Sequence, residues 1–291
     1  MSISTGIAFA FVAMFAWGFG DFLIQKNVRR IGNLSTLFFI TLFGALVLLP
    51  FTYNKIYSTI NNGHSLIILL VTSAVLFIAA VLDFQGLKIG NLSIVEPIWS
   101  LEIPAASFLA FFVLGETISL SQIIIIILLL ISLILLAIKK ANINKSIKFE
   151  RGVIVAIVGA LAMGFANFMM GWGGRETDFV MVNFFTDSFI AIVTLVLIII
   201  RGNFYVMCQD IKREWRSLVQ MSIADKIAWL AFVLSMSLVP IAIATALSES
   251  YIIIAVLLGI FISKERLAKH QKVALICAII LAIVLAGSAG N

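Results

Sequence analysis

Carboxylic acids recur inside stretches of the chain that are otherwise apolar, and these residues have the clearest capacity for chemistry. The segment VEPIWSLEIP at 95–104 places Glu96 and Glu102 within one such stretch. The acids in apolar stretches are Asp21, Asp83, Glu96, Glu102, Asp187 and Glu249. No lysine or arginine is expected deep in the same stretches. A charge at the centre of a membrane helix costs about 2.5 to 3.5 kcal/mol on insertion scales. We therefore expect these acids to face a polar cavity, to be protonated or to bind a cation.

The acids divide into two groups by their depth in the predicted helices. Those nearer a helix end, expected to form an inner vestibule, are Asp21, Asp83 and Glu96. Those nearer the middle of the membrane, expected at a central site, are Glu102, Asp187 and Glu249. A carboxylate that meets water in only one conformation can bind and release protons as the protein moves. A hydrogen bond between helices, or a carboxylate at the membrane interface, is the simpler alternative for each acid.

Two tryptophans share a predicted helix face with an acid. Trp17 precedes Asp21 by one turn, and Trp99 lies just before Glu102, at spacings that bring side chains together on a helix. An indole face attracts a cation by about 0.5 to 2 kcal/mol. These pairs favour a ligand with a protonated amine, although packing or contact with lipid would also explain the tryptophans.

Two prolines in the same stretch predict a break in its helix. Pro97 and Pro104 each lack a backbone donor and leave carbonyl groups that must find partners inside the protein or in a water-filled cavity. A discontinuous helix at this point would suit the lining of a binding site. Simple packing kinks are the alternative.

The elements that carry these residues are predicted to be transmembrane helices. With 62% hydrophobic and 12% charged residues, and a mean hydropathy of +1.16, the chain cannot hide its apolar surface in a soluble core. A spanning helix needs about 20 mainly apolar residues. Ten spans are predicted, at about 4–25, 34–52, 65–86, 91–114, 119–138, 151–172, 179–200, 222–239, 241–263 and 267–288. The segment 201–221 is predicted to be a charged connector.

The chain contains an internal duplication. Residues 6–23 align without a gap to residues 152–169, which places Asp21 on Asn167 and Gly18 on Gly164. After a shift of three residues, the later pairs are Glu116 with Glu265 and Gln122 with Gln271. We divide the chain into a first repeat, 1–139, a basic connector, 140–150, and a second repeat, 151–291. Because five helices per repeat is an odd number, the second repeat is predicted to be inverted, with a substrate site between the halves that includes Asn167.

Basic residues are concentrated in the connectors on one side of the predicted bundle. Only Lys55 and Arg175 fall on the other side. The positive-inside rule predicts a multi-pass protein of the cell membrane with both termini outside the cytoplasm. The same distribution explains the net charge of +6 without nucleic acid as a partner. The two cysteines and two histidines lack the spacing of a metal site, and no cofactor is predicted.

Several motifs resemble the two EamA repeats of the drug/metabolite transporter superfamily. They are the Trp17-Gly18 pair, the stretch FFVLGETISLSQ at 111–122 and its counterpart IFISKERLAKHQ at 261–272, in which Lys264 replaces the glycine before Glu265. The resemblance covers nearly the whole chain and implies a secondary transporter. Members of that family are usually drawn with both termini in the cytoplasm, whereas the charges predict the opposite.

Together these features predict a secondary active transporter that exports a small amine-bearing or cationic metabolite or drug in exchange for protons or another coupling ion. A carrier of neutral or anionic solutes, such as sugars or nucleotide sugars, and a channel or membrane scaffold are the alternatives. The sequence has no nucleophile elbow, zinc-protease motif or P-loop, so no enzyme activity is predicted. Small residues at every fourth position of the last helix indicate close packing, within the chain or in a homodimer.

Overall fold

Helices make up almost all of the chain that the structure describes. The computed structural model describes residues 2–89, 98–137, 151–261 and 267–289, and these residues contain no strand. The helices are α1 (Ile3–Ile31), α2 (Asn33–Asn61), α3 (Gly63–Ile89), α4 (Glu102–Leu114), α5 (Leu120–Ala137), α6 (Arg151–Glu176), α7 (Phe179–Ile200), α8 (Phe204–Met236), α9 (Ile241–Ser248), α10 (Tyr251–Phe261) and α11 (Lys269–Ser288).

Eight helical segments of the described chain are long and apolar enough to cross a membrane, and one of them combines α9 and α10. Helices α4 and α5 are apolar but shorter. The protein is thus a multi-pass membrane protein. Tight connections join the first helices: α1 ends where Gly32 adopts a φ of 84°, a conformation that glycine takes without strain, and α2 begins at the next residue.

The prediction of a connector at 201–221 is wrong. Most of this segment is the first part of α8, which extends beyond the apolar stretch as a polar helix. Charged side chains on this part form ion pairs, between Arg213 and Asp210 in the same helix and between Arg30 and Glu214 across to α1. Hydropathy could not identify this part, because a helix outside the membrane needs no apolar residues.

The helices pack in pairs that are preserved when the two repeats are exchanged. Helix α1 of the first repeat packs on α8 of the second, and the counterpart pair is α6 with α3. In the pair of α2 with α7, and in the pair of α5 with α11, each helix packs on its own counterpart in the other repeat. The core therefore lies between the repeats rather than within each one.

Hydrogen bonds show that α5 and α11 run antiparallel. Gln122 Nε2, near the start of α5, donates to Ser288 O at the end of α11 over 2.8 Å. Gln271 Nε2, near the start of α11, donates to Leu136 O at the end of α5 over 3.0 Å. The two glutamines are the residues that the duplication aligns. Each helix thus has its counterpart beside it in the opposite direction.

The stripe of small residues in the last helix is buried within the chain. Ala274, Ala278 and Ala282 are at most 4% exposed, in one cluster with Leu129 and Leu133 of α5. Packing within the monomer accounts for the stripe. A homodimer through α11 stays a prediction.

The bundle has two ends, which we name by what they hold. The basic end, where α1 ends and α8 begins, holds Arg29 and Arg30. The terminal end holds Ser2 and Ser288, near the two chain termini, and here the end of α2 meets the start of α7 through an ion pair between Lys55 and Asp178, 2.8 Å apart.

Candidate functional site

A cavity lies between the repeats, with an empty volume of about 900 Å³, part of which is continuous with solvent. Helices of both repeats line it, among them α1, α2, α3, α6, α7 and α8. On α2 the lining residues Leu37, Ile40 and Thr41 lie in the half nearer the basic end.

Most of the residues predicted from the sequence line this one cavity. They are Trp17, Asp21, Trp99, Glu102, Asn167, Asp187 and Glu249. Glu96 and Pro97 lie outside the described residues. Pro104 lies in the first turn of α4, is exposed and does not line the cavity.

One group of acids is formed by Glu102, Glu249 and Asp83. Glu102 and Glu249 are 6% and 8% exposed, and their carboxyl groups are close enough for their charges to interact with each other and with Asp83. Asn167 Nδ2 donates to Glu102 Oε2 over 3.2 Å. The charges of Asp83 and Asp21, both expected in the inner vestibule, also interact with Glu102, because neighbouring helices bring together groups that lie at different positions along their own helices.

Helix interruptions place the two glutamates. Glu102 is the first residue of α4, after a turn at 100–101, and Glu249 lies between α9 and α10. Close approach to the partner repeat is possible at aligned glycines. A Cβ on Gly164 would lie 2.6 Å from Ala105 Cβ, and one on Gly18 would lie 2.7 Å from Ile254 Cβ. The duplicated glycines thus let each interrupted region pack on the first helix of the other repeat.

A second charged group contradicts the expectation that no basic residue lies deep in the bundle. Lys226 of α8 is 4% exposed and forms an ion pair with Asp187 of α7. Asp225, the preceding residue, also lines the cavity, and its charge interacts with both. Sequence reasoning counted Lys226 with the connector because the span was predicted to begin at residue 222, which placed Lys226 near its end, whereas α8 begins at Phe204. A long polar helix that enters the bundle carries its lysine with it, and the two acids compensate the charge.

Aromatic rings form part of the cavity wall. The rings of Trp17 and Trp229 meet edge to face, with centroids 5.4 Å apart, and Trp17 packs on Phe232 at 5.0 Å. Trp229 and Tyr251 line the cavity although the spacing argument did not single them out. The indole nitrogen of Trp99 is buried and has no hydrogen-bond partner among the described residues, so it can donate to a ligand.

An interaction network joins the repeats at the terminal end. Arg175 of α6 forms an ion pair with Glu116 of the first repeat, and its guanidinium donates to Met236 O over 2.8 Å and to Val239 O over 3.1 Å. Glu116 Oε2 accepts a hydrogen bond from Ile241 N, the first residue of α9, over 2.8 Å. We call these contacts the terminal latch. Its position indicates that the bundle is held together at this end of the cavity.

Comparison with known proteins gives one family. The model of the EamA-like transporter family matches residues 4–138 and, a second time, residues 150–287. No curated protein matches significantly. Among solved structures, one described as a crystal structure of a protein is similar with a TM-score of 0.75 and 16% sequence identity, over 98% of this chain and 96% of that chain. At this identity the likeness concerns the fold alone.

Proposed function

This chain belongs to the EamA-like transporter family, of the drug/metabolite transporter superfamily, and we propose that it is a secondary active transporter that exports a small amine-bearing or cationic metabolite or drug. Family membership makes it a membrane transporter and favours a protein without enzyme activity. The substrate, the coupling and the direction of transport are our proposal, argued from the cavity.

The excess of acids in the cavity is the observation that carries the proposal. The described lining residues include Asp21, Asp83, Glu102, Asp187, Asp225 and Glu249, against the single base Lys226. An excess of one sign of charge inside a membrane protein is costly and is retained where a ligand or ion compensates it. Cation–π attraction from Trp17, Trp99 or Trp229 would add about 0.5 to 2 kcal/mol for a bound amine.

The proposed architecture has ten transmembrane helices in two inverted repeats. The reciprocal hydrogen bonds of Gln122 and Gln271 support it, because counterpart helices that run antiparallel are expected only if one repeat is inverted. Helices α4 and α5 would supply the fourth and fifth spans of the first repeat. Rocking of one repeat against the other would expose the cavity to each side in turn.

We propose that the basic end faces the cytoplasm and that both termini lie outside, in the cell membrane. The basic residues at that end include Lys26, Arg29, Arg30, Lys88, Arg201, Lys212, Arg213, Arg216, Lys269 and Lys272. Lys55 and Arg175 lie at the terminal end. This asymmetry supports a cytoplasmic basic end by the positive-inside rule.

Proton exchange at the central acids is the proposed coupling. Glu102 and Glu249 interact with each other and are buried, so a shared proton would relieve the repulsion between two adjacent carboxylates. A cation that binds between them would displace this proton. Asp187, the third acid of the predicted central site, is compensated by Lys226 and is assigned a separate role below.

An anionic substrate, such as a nucleotide sugar, is less favoured. Recognition of phosphate generally uses arginine or lysine side chains that are free to bind it. The single described lysine of the cavity, Lys226, is already paired with Asp187 and lies beside Asp225. Another negative charge would therefore meet repulsion from both acids.

Transport by reconstituted vesicles tests the proposal. Amines, amino acids, sugars and nucleotide sugars are first screened for thermal stabilisation of the purified protein, which reaches about 2.7 kcal/mol at a hundredfold excess over Kd. Uptake of the ligands that stabilise it is then measured with and without a pH gradient. We expect amine uptake into the vesicles to be driven by an outward proton gradient, because protons leave as the amine enters.

Substitution of the paired glutamates separates their role from general damage. Glu102→Gln and Glu249→Gln should abolish proton-linked transport and leave folding intact. Glu176→Gln, at the end of α6 and away from the cavity, is the matched control. Full proton-linked transport by both cavity variants, or stabilisation by anionic sugars alone, would refute the proposal.

A further inference from the structure

The buried ion pair between Lys226 and Asp187 lies at the contact between the repeats. Asp187 belongs to α7 and Lys226 to α8, both in the second repeat, and both residues line the cavity. Opposite them is Gly44 of α2, in the first repeat. A Cβ on Gly44 would overlap Asp187 Oδ2 and Lys226 Cε. The absence of a side chain on Gly44 thus provides the space in which the pair forms.

The groups around the pair carry more negative than positive charge. Helix α8 contributes Asp225 as well as Lys226, and the described α7 has no ionisable residue besides Asp187. The neighbouring α3 brings Asp83 to the cavity. The ionisable residues of α2 all lie toward the terminal end and are Tyr53, Lys55 and Tyr57. Lys226 is therefore the one described cation that compensates Asp187 and Asp225.

The ε-ammonium group of Lys226 is itself a primary alkylammonium on a chain of methylenes. Its position against Asp187 demonstrates that this carboxylate accommodates such a group in a site that water scarcely reaches. A substrate ammonium has the same charge and size and differs mainly in that it is free to leave. Removal of one partner from a buried pair is costly, so Lys226 can be displaced only by a group that takes over its charge.

Resting on the proposed function, we infer that Asp187 is a binding subsite for the ammonium group of the substrate and that Lys226 is a tethered competitor which occupies this subsite when substrate is absent. Substrate binding then moves the Lys226 side chain away from Asp187. Because the pair lies against Gly44, this exchange changes the contact between α2 and α7, one from each repeat. The subsite thereby links occupancy of the cavity to the interface that must change during transport.

The affinity for a simple ammonium ion tests this inference. Binding of radiolabelled methylammonium to purified protein is measured for the wild type and for Lys226→Gln, which lacks the competitor. If the pair is formed about nine-tenths of the time, its removal should tighten binding about tenfold. Lys226→Arg should bind methylammonium several-fold more weakly than wild type, because a guanidinium holds a carboxylate through two hydrogen bonds and is harder to displace.

A second substitution shows whether the gain depends on Asp187. The variant Asp187→Asn with Lys226→Gln removes both charges of the ion pair, leaves only Asp225 without the charge of Lys226, and should lose the gain in affinity. Unchanged or weaker binding by Lys226→Gln, or an equal gain in the double variant, would overturn the inference. If Lys226→Gln does not fold, wild-type affinity in Lys226→Arg overturns it instead.

The outcome also distinguishes this inference from the proposed function. If the wild type binds methylammonium and Lys226→Gln binds it equally well, the proposed amine transport stands and the subsite at Asp187 is refuted. Absence of binding by the wild type and by every variant removes both proposals.

Discussion

Neutralisation of Glu116 should open the terminal end of the bundle. The terminal latch joins Glu116 of the first repeat to Arg175, and through Ile241 to the start of α9. Glu116→Gln keeps the size of the side chain and an acceptor for Ile241 N but removes the charge that holds Arg175. The variant therefore weakens one ion pair and leaves the backbone contacts of the latch in place.

The magnitude follows from the exposure of the two side chains. A hydrogen bond to a charged group contributes about 1.5 to 3 kcal/mol, and a neutral one about 1 kcal/mol. The side chains of Arg175 and Glu116 are 29% and 14% exposed, so solvent screens part of this difference. A loss of about 1 kcal/mol remains, which raises the ratio of terminal-open to terminal-closed molecules about fivefold.

Distances between spin labels provide the assay. Labels at Thr117, in the first repeat, and at Glu176, at the end of α6, lie on opposite sides of the latch. Double electron–electron resonance should show more long distances in Glu116→Gln than in the wild type. The control is Arg213→Gln, which breaks a pair with Asp210 within α8 at the basic end. Unchanged distances in both Glu116→Gln and Arg175→Gln would refute the role of the latch.

Two further predictions concern stability, measured by thermal denaturation in detergent. Gly164→Ala should destabilise the protein by about 1 to 3 kcal/mol, because the new methyl group would lie 2.8 Å from a backbone oxygen of Glu102, whereas Gly287→Ala, with nothing within 4 Å, should stabilise α11 by up to about 1 kcal/mol. Equal effects of the two substitutions would contradict the packing argument. Burial acts to raise the pKa of Asp178, but the hydrogen bonds from Lys55 and from two backbone amides outweigh it, so this pKa lies below its usual value of 3.8. Asp178→Asn keeps the helix cap but removes the charge, so the wild type should be more stable than this variant at neutral pH. The difference in stability should shrink as the pH falls below about 3.8 through the folded-state pKa of Asp178. A difference in stability that does not depend on pH would exclude a contribution of the charge.

The membrane class and the duplication could be read from the sequence because both depend on local composition and order. Apolar stretches of spanning length identify helices without knowledge of their partners. The alignment of Gln122 with Gln271 anticipates two residues that make counterpart hydrogen bonds in the structure. The duplication predicts such counterpart contacts because each repeat must present the same helix faces to the other.

The charged core could be predicted only in part. Acids within apolar stretches are conspicuous, and Glu102 and Glu249 do line one cavity. Asp225 and Lys226 are adjacent to a polar stretch, so hydropathy alone places them at the membrane surface. Their burial follows from the length of α8 and from the position of α7 beside it, which are properties of the packed bundle. Sequence reasoning therefore finds isolated buried charges more readily than charges that compensate each other.

The location of the paired charges also indicates which helix contacts can change during transport. Helices α5 and α11 are joined at both ends by neutral hydrogen bonds from Gln122 and Gln271, and neither bond needs a ligand or a proton to form. Contacts that depend on charge lie elsewhere, among them the terminal latch and the ion pair beside Gly44. A bound cation or proton can alter the free energy of a conformational change only through groups whose interaction with it differs between the conformations. The α5–α11 pair is thus expected to move as one unit, while the interface of α2 with α7 and the terminal latch respond to occupancy of the cavity.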